Sequence, residues 1–225
     1  MKILAFDTSF ESCSAAICDG ETTCWRDLKL IGRGHAEVLP AMVAAGLRAA
    51  DLGVKDLDRI GVVVGPGAFA GVRVGVAFAR GLCLGTKAKA VGVSSLAALA
   101  ASLGVDGAMA PVFDARRGQV YAALYGGDRK AALAPFVAAP EDAARRIEAA
   151  LAGAAVTLAG SGASLVAAHF SLPQDINAVE TIDPAAIARL AARAEAPTAP
   201  PLPLYLRPPD ATPSRNARAG GPDAS

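Results

Sequence analysis

The chain has 225 residues, of which 53% are hydrophobic and 19% are charged, and its formal net charge is +1. This length is enough for one large domain or two small ones, and the near-zero charge excludes an overall field that would attract nucleic acid or an anionic membrane. The four cysteines fit no zinc or iron–sulfur spacing, so we expect free thiols and no metal site. Asp7 and Glu11 interrupt any apolar leader, and no uncharged stretch is long enough to span a bilayer. We therefore expect a cytoplasmic protein.

The first 52 residues predict three strands followed by a helix. The strands are expected over 2–7, 12–18 and 22–30, joined by a turn at 8–11 and by a hairpin turn at Asp19-Gly20. The helix begins near His35 and extends to about Leu52. Its apolar positions, and one glycine among them, are Val38, Leu39, Met42, Val43, Gly46 and Leu47.

Residues 60–84 are the most informative stretch of the chain. Branched residues over 60–64 predict a buried strand, Gly65-Pro66-Gly67 ends it, and a helix is expected from about Ala68. Gly71, Gly75 and Ala79 form one stripe without bulky side chains on this helix. Each helical glycine costs roughly 1 kcal/mol relative to alanine, so the stripe predicts a close approach by other backbone. That backbone belongs either to the helix's own lobe or to a partner helix, and both alternatives stay open.

A repeat divides the remainder of the chain. Residues 112–127 align without gaps on residues 5–20, so that Asp114 matches Asp7, and residues 156–163 resemble the strand-and-glycine pattern that begins at residue 60. Two such matches in the same order indicate an internal duplication. We therefore predict two similar α/β lobes, residues 1–105 and 106–207. The further elements expected are a strand over 90–93 and helices over 95–103, 140–151 and 183–195. Residues 200–207 are expected to dock as an extended segment, and 208–225 to be a disordered, proline-rich tail.

Few residues have the pattern of an active site. Asp7-Thr8-Ser9 follows the first strand and would suit a nucleotide's Mg²⁺ and phosphates, or it would hydrogen-bond its own turn. The stretch from Gly65 to Ala70 matches a dinucleotide fingerprint, but no acidic residue follows at the required distance. The only two histidines, His35 and His169, are far apart in the sequence. A local excess of basic residues is the candidate contact for tRNA or another anion, through Arg73, Arg80, Lys87 and Lys89.

Four stretches resemble the TsaB family. They are the DTS turn, GPGAFAGVRVG, DARRGQVY and PLYLR, and the resemblance spans residues 1–207. It implies the duplicated actin-like, Hsp70-like fold (ASKHA, RNase H-like). It also implies a role in forming N6-threonylcarbamoyladenosine at position 37 of tRNAs that read ANN codons. TsaB acts there with its paralogue TsaD, which is the catalytic subunit, and with the ATPase TsaE.

The resemblance also implies a role for particular segments. TsaD carries a metal-binding histidine pair after the strand that follows its own GPG helix, whereas residues 91–99 here contain no histidine and no acid. This predicts a non-catalytic scaffold with no cofactor of its own, ATP and Mg²⁺ acting at the level of the complex. In the family the first two helices contact TsaD, and they match residues 35–52 and 68–84. The predicted interface residues are Leu39, Met42, Val43, Gly46, Gly71, Val74, Gly75, Phe78 and Ala79.

Three other interpretations of the sequence stay open. One is an independent enzyme, either an ATP-binding protein of the actin-like fold or a glycoprotease-like hydrolase. The second is direct tRNA binding as the main task of the chain. The third concerns the chain alone, which would form a homodimer through the same two helices when no partner is present.

Overall fold

The computed structural model describes residues 1–207, so the tail predicted over 208–225 lies outside the described residues. None of the helices in this part of the chain is long and apolar enough to cross a membrane. Two five-stranded sheets account for most of the fold, one on each side of residue 105.

The first lobe has the sheet order β3-β2-β1-β4-β5, with antiparallel pairing on one side of β1 and parallel pairing on the other. Its strands are β1 (Lys2–Asp7), β2 (Ser12–Asp19), β3 (Thr22–Leu30), β4 (Arg59–Gly65) and β5 (Lys89–Ser94). Its helices are α1 (His35–Ala49), α2 (Phe69–Cys83) and α3 (Ser95–Ser102), and a short 3₁₀ turn spans Val54–Asp56. Helices α1 and α2 share a hydrophobic core with one face of this sheet.

The second lobe repeats the topology of the first, in the order β8-β7-β6-β9-β10. Its strands are β6 (Ala108–Arg116), β7 (Gln119–Tyr125), β8 (Ala131–Ala138), β9 (Val156–Ala159) and β10 (Gln174–Asn177). Its helices are α4 (Pro140–Leu151), α5 (Ala163–Ala167) and α6 (Pro184–Arg193). Because β6 and β7 occupy the places of β1 and β2, the predicted duplication is confirmed.

The two lobes exchange one helix each. Helix α3 follows the first sheet but packs on β6 and β7, whereas α6 follows the second sheet but packs on β1, β2 and β4. Their apolar side chains, among them Leu96, Leu99 and Ile187, form one core with residues from both sheets. Residue 105 therefore separates the two sheets but does not separate the helices that cover them.

An arginine from the opposite lobe caps each exchanged helix. The Arg59 guanidinium donates to carbonyl oxygens at the end of α6, at 2.5 Å (Ala191) and 2.6 Å (Ala194). The Arg129 guanidinium donates to Ala100 O in the last turn of α3, at 2.7 Å, and to Val105 O in the loop that follows, at 2.9 Å. The last carbonyls of a helix have no partner within the helix, and the cation also favours the negative end of the helix dipole.

Most element boundaries agree with the sequence-based expectation, with instructive exceptions. Helix α1 ends at Ala49 instead of Leu52, because Asp51 adopts a left-handed conformation with φ 52°. Helix α6 begins at Pro184, and Asp183 is its cap, whose carboxylate accepts a hydrogen bond from Ala185 N at 3.1 Å. The expected docking of residues 200–207 is confirmed, since Leu204 N donates to Val64 O at 2.7 Å.

Candidate partner-binding surface and interlobe cleft

The turn after β1 is buried. Asp7 and Thr8 are each 1% exposed and Ser9 is 0% exposed. Ser9 N donates to Asp7 Oδ1 at 2.7 Å, and Thr8 Oγ1 donates to the carbonyl of Gly71 in α2 at 2.8 Å. Burial raises the pKa of Asp7 above its ordinary value, against the opposing effect of its hydrogen bonds with Ser9. The structure therefore shows these side chains holding their own turn and α2.

The glycine stripe of α2 lies against this same turn. A Cβ atom added at Gly71 would overlap Thr8 O, and one added at Gly75 would lie 2.6 Å from Thr8 Oγ1. Gly67, just before the helix, is equally close to Ser9, because its Cβ would lie 2.5 Å from Ser9 O. Of the two alternatives for the stripe, the structure shows contact within the lobe. Gly46 in α1 serves a similar purpose, because an added Cβ there would lie 2.5 Å from a carbon of the Trp25 ring.

Most of the predicted interface residues lie inside the first lobe. The buried ones are Leu39, Met42, Val43, Gly46, Gly71, Gly75 and Ala79, and only Val74 and Phe78 are partly exposed. Small and apolar residues on the outer sides of the same helices are accessible instead. We call these the helix-pair surface: Val38, Ala41 and Ala45 of α1, and Ala70, Val74 and Phe78 of α2. Helical periodicity identified the apolar face of each helix, but that face covers the chain's own sheet.

A cleft of about 980 Å³ separates the two lobes. Its lining includes Phe10 and Glu11 of the first turn, the start of α2, and Arg116 at the end of β6. Arg116 Nη2 lies 3.2 Å from Glu11 Oε1, and the rings of Phe10 and Phe113 stack with centroids 4.1 Å apart, so both contacts bridge the lobes. Among residues 1–207, the cleft lining does not include Asp7, Thr8 or Ser9. In this arrangement the three side chains do not fit a bound Mg²⁺–nucleotide.

The four basic residues proposed as anion contacts differ in their surroundings. Arg73 packs on the Phe69 ring, with its guanidinium carbon 3.7 Å from the centroid, and its Nε donates to Tyr205 OH at 3.0 Å. Lys87 forms an ion pair with Asp58 at 3.1 Å. Arg80 and Lys89 are exposed, and neither forms an ion pair with a carboxylate of the described chain.

Within the described range 1–207, no group of three or more histidine, cysteine or acidic side chains is arranged so that it could hold a metal ion. All four cysteines are free thiols. The stretch 91–99 has no histidine, and its Ser95 is fully buried. The Ser95 hydroxyl donates to Pro66 O at 2.6 Å. This residue therefore fixes the loop that precedes α2.

Comparison with known proteins identifies the family. Residues 29–198 match the sequence profile of the TsaD family, whose description is tRNA N6-adenosine threonylcarbamoyltransferase. A crystal structure described as an uncharacterised protein with similarity to the peptidase YeaZ, from Pseudomonas aeruginosa, has a TM-score of 0.78 and 31% identity, and the match covers 92% of this chain and 99% of that one. The tRNA threonylcarbamoyladenosine biosynthesis protein TsaB of Bacillus subtilis is 38% identical over 126 residues. The chain belongs to the TsaD family, on its TsaB/YeaZ branch.

The match to the B. subtilis TsaB covers 56% of this chain and 55% of that protein. The expected duplicated actin-like fold is confirmed, because the ethanolamine utilization protein EutJ from Carboxydothermus hydrogenoformans shares it with a TM-score of 0.54 at 12% identity. At that identity the likeness shows the fold alone. The TsaB-like sequence is thus carried by a two-lobed scaffold whose first turn is closed by its own packing.

Proposed function

We propose that this TsaB-family chain is a non-catalytic scaffold subunit of tRNA modification. It binds a TsaD-type transferase through α1 and α2. Together with TsaE, which supplies ATPase activity, the complex transfers a threonylcarbamoyl group to adenosine 37 of tRNAs that read ANN codons. ATP and Mg²⁺ are requirements of the complex and not of this chain. The TsaB relatives support the process, and the TsaD family model supports the kinship with the transferase.

One observation carries the scaffold role. The polar turn after β1, where a nucleotide's metal and phosphates would have to bind, is used to position α2. Thr8 donates its hydroxyl proton to Gly71 O, and its own carbonyl lies where a side chain on Gly71 would be. Because the Thr8 hydroxyl is already hydrogen-bonded to α2, it is not available to bind a ligand. The packing therefore supports a surface function for α2 instead of a nucleotide site beneath it.

The helix-pair surface has the composition of a helix-packing interface. Small side chains such as Ala41, Ala45 and Ala70 let a second helix approach closely, at the 8–10 Å interaxial distances typical of packed helices. Val74 and Phe78 add partly exposed apolar area, and Phe78 is held in place by an edge-on contact with Phe6, at 5.6 Å between ring centroids. Two helices on each side would bury such a surface in a four-helix contact.

The proposal is tested by mixing this chain with the TsaD of the same organism and measuring mass by light scattering. Ala41→Arg and Val74→Arg place a long charged side chain on the helix-pair surface without disturbing the buried stripe. Ala149→Arg is the matched control, because Ala149 is an exposed alanine on α4 in the second lobe. We expect a heterodimer with the wild type and with the control, and at least a tenfold weaker complex with each surface variant.

Formation of the modified nucleoside is the second measurement. With TsaD, TsaE, ATP and the other substrates of the reaction, modification of an ANN-decoding tRNA should require this chain. Its rate should fall in Ala41→Arg and Val74→Arg in proportion to the lost complex. A folded wild-type chain that forms only homodimers and leaves modification unchanged would overturn the scaffold proposal.

A further inference from the structure

We propose that a basic groove beside α2 binds the phosphate backbone of the tRNA. This groove, which we call the α2 groove, lies between α2, the start of β5 and the C-terminal segment 197–203, and has a volume of about 810 Å³. The inference rests on the proposed function, because it assigns a contact surface to the RNA substrate of that complex. It adds a binding site on this chain that is separate from the helix-pair surface and from the cleft.

Three basic residues come together in the α2 groove from different parts of the chain. Arg73 and Arg80 are two turns apart on α2, and Lys89 begins β5. Cys83, on the last turn of α2, and Ala90, near the start of β5, both line the groove, so the start of β5 lies beside that end of the helix. The fold therefore gathers these cations on one side of α2, whereas Lys87 does not line the groove and is paired with Asp58.

Within residues 1–207, the three cations of the α2 groove have no carboxylate partner, and the carboxylate of nearby Asp58 is paired with Lys87. The residues of the described chain that line the groove include no aspartate or glutamate, and the sequence from 59 to 105 contains neither. Arg80 and Lys89 are exposed, with no ion pair to residues 1–207. Arg73 is oriented by Phe69 and Tyr205, and both of these contacts leave its positive charge uncompensated. Such a patch attracts an anionic polymer.

The end of α2 would disfavour an anion if its carbonyl groups were open, since the C-terminus of a helix carries partial negative charge. Here three of the last four carbonyls of α2 accept hydrogen bonds. Leu84 N donates to Gly81 O at 3.1 Å, Thr86 N to Cys83 O at 3.4 Å, and the Thr86 hydroxyl to Leu82 O at 3.0 Å. Arg80 lies in the same last turn, and its full positive charge exceeds the partial negative charge of the helix end, about half an elementary charge. The local field at the groove is therefore set by its side chains.

The rest of the lining suits a sugar–phosphate backbone better than a small buried ligand. The walls are made by short apolar side chains, including Val76, Ala77 and Pro200, which contact sugars but do not read bases. The structure therefore predicts binding that depends on charge and not on base sequence. An acidic segment of a partner protein would also match the positive charge of the groove. Binding of tRNA and binding of the partner proteins, measured on the same variants, distinguish the two occupants.

The test compares two double variants of equal net charge in the assembled complex. Arg80→Gln/Lys89→Gln removes two of the three uncompensated charges of the α2 groove and leaves Arg73 in place. Lys55→Gln/Lys87→Gln removes two exposed charges of the same lobe that do not line it. Unmodified ANN-decoding tRNA is the probe, and its affinity is measured between about 50 and 300 mM salt. Each lost phosphate contact reduces the slope of log affinity against log salt by about 0.7–0.9.

For the groove variant we expect affinity to fall on the order of tenfold at low salt, and the slope to become shallower by about 1.5. The control should change both quantities far less. Equal effects of the two double variants, or an unchanged slope, would overturn the groove proposal. If the groove variant instead fails to bind TsaD or TsaE while its tRNA slope is unchanged, the groove binds protein and the RNA assignment is wrong. A complex that never forms with the wild type contradicts the scaffold function, so the two failures are distinguishable.

Discussion

The turns after β1 and β6 occupy equivalent places in the duplicated lobes and have the same backbone design. In each, an aspartate accepts a hydrogen bond from the amide two residues later at 2.7 Å, Asp7 from Ser9 and Asp114 from Arg116. In each lobe the parallel strand beside the turn ends at or next to a glycine with positive φ. This glycine is Gly65, the last residue of β4, with φ 107°, and Gly160, directly after β9, with φ 99°. The helix that comes next differs, since α2 has 15 residues and α5 has 5.

The different lengths of α2 and α5 explain why the first turn is buried and the second is partly exposed. In the first lobe α2 extends over the turn, and Asp7 is 1% exposed. In the second lobe the short α5 leaves the turn open, the Asp114 side chain is 29% exposed, and Arg116 extends to Glu11 of the other lobe. One copy of the duplicated turn is thus part of the core beneath α2. The other copy lines the cleft.

The largest expected effect comes from filling the space between α2 and the first turn. Gly71→Ala would place a Cβ atom on Thr8 O, a backbone oxygen that no side-chain rotation can move. We expect the free energy of unfolding to fall by about 2–3 kcal/mol, despite the gain in helix propensity. Denaturant unfolding of the isolated chain measures it.

Gly81→Ala is the matched control, because Gly81 is in the same helix and an added Cβ there meets nothing within 4 Å. It should leave stability unchanged or raise it by up to about 1 kcal/mol. If both substitutions stabilise the protein equally, α2 does not lie on the first turn as described. The contrast between the two lobes would then lose its physical basis.

A second pair of variants tests the helices that the lobes exchange. Arg59→Gln removes the cap of α6, and Arg129→Gln removes the cap of α3. Hydrogen bonds to a charged group contribute about 1.5–3 kcal/mol each when partly buried. We therefore expect a loss of about 2 kcal/mol for Arg59→Gln and a smaller loss for Arg129→Gln, since Arg129 is the more exposed of the two.

Lys55→Gln is the control for both, because Lys55 is exposed and should tolerate the change within about 0.5 kcal/mol. Unfolding followed by circular dichroism measures the three variants. Losses no larger than that of the control would show that the caps do not hold the exchanged helices. A loss of cooperativity in the two arginine variants alone would show in addition that they couple the lobes.

The sequence predicted more of the fold than of the site, for physical reasons. The strands of the first lobe and the alignment of Asp7 with Asp114 follow from local patterns of apolar residues and turns. The exchange of α3 and α6 does not, because an alanine-rich helix is apolar on most sides and its sequence does not specify which sheet it covers. Strands β8 and β10 also lack a strand pattern, since Pro135 interrupts the first and the second is a short polar edge strand, QDIN.

The candidate interface shows the same limit at the level of single residues. The spacing of Gly71 and Gly75 predicts a close approach, which the Thr8 backbone makes at Gly71 and the Thr8 hydroxyl makes at Gly75. Spacing alone cannot say which part of the molecule approaches. The answer depends on the turn 63 residues earlier, at Thr8. For the same reason periodicity alone predicts the buried residues of α1 as contact residues, although they face the chain's own sheet.

The smallest expected effect is on how the free energy of unfolding depends on pH, and it compares the two turns directly. Asp7→Asn keeps an oxygen that accepts the Ser9 amide hydrogen bond but removes a buried charge. Burial raises the pKa of Asp7 in the folded state above its value in the unfolded chain, so between these two pKa values the unfolded state releases the proton that the folded state retains. The free energy of unfolding of the wild type must therefore decrease as pH rises through this window.

The variant lacks this ionisation, so its stability relative to the wild type should increase as pH rises above the ordinary carboxyl pKa of 3.8. Asp114→Asn is the comparison, because Asp114 lies in the equivalent but open turn and pairs with Arg116 at 3.5 Å. Losing this exposed ion pair should cost the Asp114→Asn variant a few tenths of a kcal/mol at neutral pH. If Asp7→Asn instead destabilises the chain increasingly with pH, the Asp7 carboxylate is stabilised as an anion in the folded state. The first turn would then retain the electrostatics of a cation-binding loop, and the scaffold interpretation of its burial would have to be abandoned.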